Sequence, residues 1–123
     1  MIFLQPGRMV RFLKTAFYEH WNDIEERALR FVEESIELAE TDGVTREQCH
    51  ALVDQVFDKG EPGNSYQEVG GVMVTLAAYM ALKNIDAGRA FEEELSRVEQ
   101  PEVIAKIRAK HKTKAVVSSK WRK

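Results

Sequence analysis

The sequence is poor in the features that mark several protein classes. It has one cysteine, Cys49, so no disulfide can form within the chain, and a reducing compartment is expected. Its longest apolar stretch, Val69 to Leu82, falls short of the roughly 20 residues that a bilayer span needs. The opening "MIFLQPGRMVRFL" is a poor secretory signal, because Pro6-Gly7 breaks a short apolar run and basic residues follow it. A soluble, cytoplasmic protein with no membrane partner is therefore expected. Three histidines lie without metal-ligand spacing, and a net charge of −2 argues against a chain built to coat nucleic acid. Only three prolines interrupt the 123 residues, which leaves room for long helices.

What the sequence has is helical periodicity, in a chain 44% hydrophobic and 31% charged. A first helix is expected over about Arg8 to Glu19, with Val10, Leu13, Phe17 and Ala16 turned inward. Asn22 and Glu25 have capping-box spacing for a second helix that runs to about Glu40. Thr45 with Gln48 repeats that spacing for a third. The cluster "DKGEPGN" then turns the chain, and Ser65 with Glu68 opens a fourth helix that "NID" ends. Asp86 caps a fifth, which runs past Lys110 with a kink or break at Pro101. The expected fold is all-α, a bundle of about five helices in one domain over residues 1–112, followed by a basic tail over 113–123 that is expected to be solvated.

The second helix gathers glutamates. With Leu29 at 0° and about 100° per residue, Glu40, Glu33, Glu37 and Glu34 fall at about 20°, 40°, 80° and 140°. One reading is the wet side of an amphipathic helix, with Arg30 as an ordinary partner. The other starts from repulsion: Glu33 and Glu34 each lie one turn from Glu37, and a hard divalent cation would relieve the strain.

The fourth helix, "SYQEVGGVMVTLAAYMAL", is apolar on every side after Glu68 and is expected at the centre of the domain. Gly70 and Gly71 each cost roughly 1 kcal/mol against alanine, so close packing of another helix or local geometry is expected to repay them. Glu68 either completes a cap with Ser65 or faces the glutamates of the second helix.

"EESIE" (Glu33 to Glu37), followed about thirty residues later by "EVGG" (Glu68 to Gly71), resembles the EExxE … ExxD signature of all-α nucleoside triphosphate pyrophosphohydrolases, the MazG-like family. The likeness spans about Asp23 to Lys112. It is nearest to a phage and bacterial subgroup, which points to dGTP hydrolysis in 2-aminoadenine synthesis and, for a phage protein, to the host cytoplasm. The resemblance implies Mg²⁺, with Mn²⁺ as a substitute, held by Glu33, Glu34, Glu37 and Glu68. It implies cleavage of a (deoxy)nucleoside triphosphate, dGTP or purine dNTPs foremost, to monophosphate and pyrophosphate. It also implies a homodimer or homotetramer. The family's last aspartate is Gly71 here, which removes one expected ligand.

If the family pattern holds, basic side chains reach the triphosphate, with Arg97, Lys106 and Lys110 as candidates. Trp21 either stacks on a purine or packs the first two helices together. The competing reading is a catalytically degenerate bundle that serves as an interaction or nucleic-acid-binding module. It draws on eight Lys or Arg and no acid from Lys106 to Lys123.

Overall fold

The computed structural model describes residues 4–121. Six α-helices follow one another: α1 (Pro6–Phe17), α2 (Ile24–Glu40), α3 (Arg46–Asp58), α4 (Ser65–Lys83), α5 (Ala87–Val98) and α6 (Pro101–Lys112). Short 3₁₀ turns cover Tyr18–His20 and Ser119–Trp121. Among the described residues there is no strand, and no helix is long and apolar enough to cross a membrane.

Local chemistry explains the boundaries. Thr45 and Gln48 form a reciprocal capping box at α3, and Asp86 caps α5 by accepting from the Arg89 amide at 2.8 Å. Asp23, one residue beyond the expected Asn22, caps α2 and accepts from the Glu26 amide at 3.2 Å. Asn64, not Ser65, caps α4 and accepts from the Gln67 amide at 3.2 Å. Asn84 ends α4 in the left-handed conformation that asparagine tolerates better than most residues. Pro101 opens α6, so the expected long fifth helix is two helices: proline fits a first turn, where its missing N–H breaks no bond.

The packed part of the molecule is α1, α5 and α6, where Ala16, Leu95 and Ile104 are buried. Val10, expected inward, is exposed. Arg8 ties α1 to α5 and its C-terminal end, reaching Glu92 at 2.8 Å and Glu99 at 2.6 Å. At the far end of the molecule, Lys83 meets Asp42 at 3.0 Å and the Tyr79 hydroxyl donates to the same carboxylate. The C-terminal ends of α2 and α4 therefore lie together, so these helices run in the same direction and α3 makes the return.

The central position expected for α4 is not observed. The helix has no buried residue, and Val69, Met73, Val74 and Leu82 are exposed. Helices α1, α5 and α6 pack on one another instead. A Cβ added at Gly70 or Gly71 would meet nothing within 4 Å. Among the described residues, no close approach accounts for either glycine.

The end of the chain is docked up to Trp121, in contrast to the expected solvated tail. Glu26, 0% exposed, accepts from the Ser118 amide at 3.0 Å and lies 2.7 Å from His111 Nε2 and 3.0 Å from Arg30 Nε. Glu25 accepts from the Ser119 amide at 3.2 Å and its hydroxyl at 2.7 Å, and Arg30 donates to the Val116 carbonyl. The first turn of α2 thus binds α6 and the C-terminal segment at once. Removing one partner from a buried charged set leaves the others unpaired, a loss of about 3–5 kcal/mol. Glu26→Ala is expected to lower the unfolding free energy by about that amount in urea titration, and a change below about 1 kcal/mol would refute the role of this carboxylate.

Candidate functional site

The glutamates of α2 differ in their surroundings. Glu33 accepts from the Lys114 ammonium at 2.7 Å, and Arg30 Nη1 lies 3.5 Å from the same oxygen. The Lys114 hydrogen bond holds the Glu33 carboxyl below the usual range, with further help from the charges of Lys114, Arg30 and Lys110. Glu34, its neighbour, is displaced the opposite way. Burial raises its carboxyl above the usual value, and the charges of Glu37, Glu94 and Glu33 push in the same direction. The acid row therefore has one neutralised end and one end where negative charge accumulates.

Residues from α5 and α6 complete the surroundings. Glu94 accepts from Arg97 Nε at 2.9 Å and Nη2 at 2.8 Å, and Arg97 also feels the charge of Glu34. Of the basic candidates, Arg97 and Lys110 stand within the field of the acid row, whereas Lys106 is simply exposed on α6. The Trp21 ring lies under the Lys14 ammonium, 5.0 Å from its centroid, and so links α1 to the connection before α2. That contact fits the packing role.

Glu68 sits in the first turn of α4, against the turn that joins α3 to α4. A Cβ added at Gly63 would come within 3.0 Å of Glu68 Oε2, and the side chain lines a cavity of about 350 Å³ with Phe57, Lys59 and Glu61. It is not a capping partner of Ser65, because the cap is Asn64. Among the described residues, no group of three or more His, Cys, Asp or Glu side chains is gathered so as to hold a metal ion. Glu34 itself faces a second cavity, of about 370 Å³, between α2 and α4, lined mainly by Phe31, Leu38, Val72 and Leu76.

Two participants were not singled out from sequence. Lys114 lies in the C-terminal basic run, where nothing local distinguishes it from its neighbours. Glu94 reads as an ordinary ion-pair partner of Arg97 three residues on, and only the fold brings it near Glu34. No family model matches the chain, and neither the curated proteins nor the solved structures contain a match.

Charge crowding has a consequence for stability. Because the folded-state carboxyl of Glu34 is raised, the folded protein holds its proton more tightly than the unfolded chain does. Stability is thus lost as pH rises from the ordinary carboxylate value through the raised one, and the full cost is present at neutral pH. A like-charge pair on a helix costs about 0.3 kcal/mol. Glu34→Gln is expected to raise Tm by about 1–3 °C at pH 7 and by nothing measurable at pH 4. Thermal melts at the two pH values check this, and an equal shift at both would contradict it.

Proposed function

We propose that this chain is a Mg²⁺-dependent nucleoside triphosphate pyrophosphohydrolase of the MazG-like type. It would convert a (deoxy)nucleoside triphosphate, dGTP or purine dNTPs foremost, to the monophosphate and pyrophosphate. The observation that carries the reading is Glu34: burial raises its carboxyl and the charges of Glu37, Glu94 and Glu33 add to that, while Arg30, Lys110 and Lys114 act on Glu33 in the same row. An acid cluster alone would repel a polyphosphate, and a basic cluster alone would not retain a divalent ion. Both together suit a polyphosphate bridged through metal.

The donors fit such an ion, because they are hard carboxylate oxygens and at least one lacks a neutralising partner. Glu34 and Glu37 are assigned to it, and Glu68, which lines the cavity at the α3–α4 turn, is the further ligand that the family resemblance implies. Bound Mg²⁺ supplies charge neutralisation at the phosphate oxygens and a more acidic water. Lys114 can exchange the Glu33 carboxylate for a phosphate oxygen, which leaves Glu33 able to take the proton of the attacking water. As that oxygen bonds to the α-phosphorus, the bond to the β-phosphate oxygen breaks. Lys110, Lys114 and Arg97 then offset charge on the departing pyrophosphate.

Self-association belongs to the same proposal. The chain exposes 9971 Å², against about 6,700 Å² for a compact monomer of its 14.1 kDa mass. The excess, roughly 3,000 Å², is on the scale that a large obligate interface takes from one chain. It includes the apolar surface of α3 and α4, from Leu52 and Val56 to Val72 and Met73, and the unfilled space beside Gly70 and Gly71. A second copy on these helices would cover that surface and could bring the Glu68 turn under a partner's influence.

The purified protein is expected to release pyrophosphate and monophosphate from at least one of the eight common NTPs and dNTPs, only when Mg²⁺ or Mn²⁺ is present. Glu37→Gln is expected to reduce turnover at least 100-fold while far-UV circular dichroism stays native. The same preparation should sediment as a dimer or larger at micromolar concentration. Metal-independent release, an active Glu37→Gln variant, or no release from any of the eight would overturn the catalytic reading, and a monomer would overturn the assembly.

A further inference from the structure

A cavity of about 640 Å³ lies between the end of α1, α6 and the docked C-terminal segment. Its volume is in the range that takes a single small ligand. Aromatic rings dominate one side. The Trp121 ring lies 4.4 Å from that of His20 and 4.6 Å from that of His111, and His111 meets Phe17 at 5.2 Å between centroids. His111 is fixed in place by its bond to the buried Glu26, so this wall is held by the fold.

The other side is cationic. Lys112 and Lys114 line the cavity along with Arg108, and no acid does so among the described residues. Arg108 is engaged by structure, stacked 4.1 Å from the Tyr18 ring centroid and donating to the Thr15 carbonyl. Lys112 makes no ion pair among the described residues, and Lys114 reaches out of the cavity to Glu33. Ring faces beside an ammonium with no ion pair among the described residues, that of Lys112, suit a flat aromatic group carrying an anion.

We infer that this cavity binds one nucleoside phosphate, with the base against Trp121 and His111 and the phosphate toward Lys112 and Lys114. The choice of a nucleotide over other aromatic anions rests on the function proposed above. The link is Lys114, which lines this cavity and contacts Glu33, so a phosphate chain leaving the cavity along Lys114 arrives at the acid row. A single-stranded nucleic acid shares the chemistry. It is disfavoured because its next phosphates would meet Glu33, Glu34 and Glu37 with no pyrophosphate to release.

Calorimetric titration of the full chain in EDTA separates the cases. The probes are dGMP, deoxyribose 5-phosphate and a single-stranded deoxyhexanucleotide. dGMP is expected to bind at least tenfold more tightly than the sugar phosphate, since a base on an aromatic platform contributes about that factor or more. Trp121→Ala should remove about tenfold of dGMP affinity, and Lys112→Gln should weaken it severalfold while lowering its salt dependence. Lys112 is exposed, so that variant carries the test if Trp121→Ala fails to fold by circular dichroism. Equal binding of dGMP and the sugar phosphate, native affinity in the folded variants, or tighter binding of the hexanucleotide would overturn the assignment. Binding is read in EDTA and turnover in the separate Mg²⁺ assay, so dGMP binding together with no pyrophosphate release from any NTP or dNTP in that assay would sink the hydrolase reading alone. Turnover with no dGMP binding here would sink the cavity alone.

Discussion

The buried carboxylate of Glu26 is the contact on which the arrangement of the candidate site depends. A carboxylate removed from water needs partners on both oxygens, and Glu26 finds them in Arg30 one turn along, His111 on α6 and the amide of Ser118. Those three come from distant parts of the chain. Satisfying them places α6 beside α2 and lays the C-terminal segment along the start of α2. The position of Lys114 next to Glu33 and that of Trp121 beside His111 both follow. Asp23, as the cap, fixes the first turn that presents Glu25 and Glu26, so the anchor begins with a local preference in the sequence.

A second constraint acts at the other end of the molecule. The helices α3 and α4 carry apolar residues that are left exposed among the described residues, and α4 includes two glycines beside open space. Apolar area on this scale costs about 25 cal/mol per Å² when left in water. The cost falls on a region separate from the packed α1, α5 and α6. In the proposed assembly, the two ends have different tasks: one is organised by buried polar contacts, the other by contact with a second copy.

Features encoded within a few residues were legible in the sequence. The caps at Thr45 and Asp86, the interruption at Pro101 and the all-α class all rest on contacts within one turn. The caps of α2 and α4 were misplaced by one residue because Asn22-Asp23 and Asn64-Ser65 each offer two competent side chains in succession. Contacts over more than eighty residues were not legible. Lys114 to Glu33 and Ser118 to Glu26 have no signature in spacing, and a run rich in lysine, serine and threonine reads as a solvated end. The apolar character of α4 was read correctly, but centrality did not follow, since burial depends on what is available to cover a helix. The acid row on α2 was visible as a sector. That Glu33 is neutralised while Glu34 is not depends on Lys114 and Glu94, which only the fold brings to them.

The central claim is that the crowded carboxylates of α2 hold a divalent cation. Titration of the full-length protein with Mn²⁺, followed by the loss of the free-ion electron paramagnetic resonance signal, tests it without reference to any substrate. The account predicts saturable binding, competed by Mg²⁺ and weakened at least tenfold in a Glu34→Gln, Glu37→Gln double variant that keeps its helical spectrum. Failure of the protein to take up Mn²⁺ at millimolar concentration, or unchanged uptake by the double variant, would contradict it.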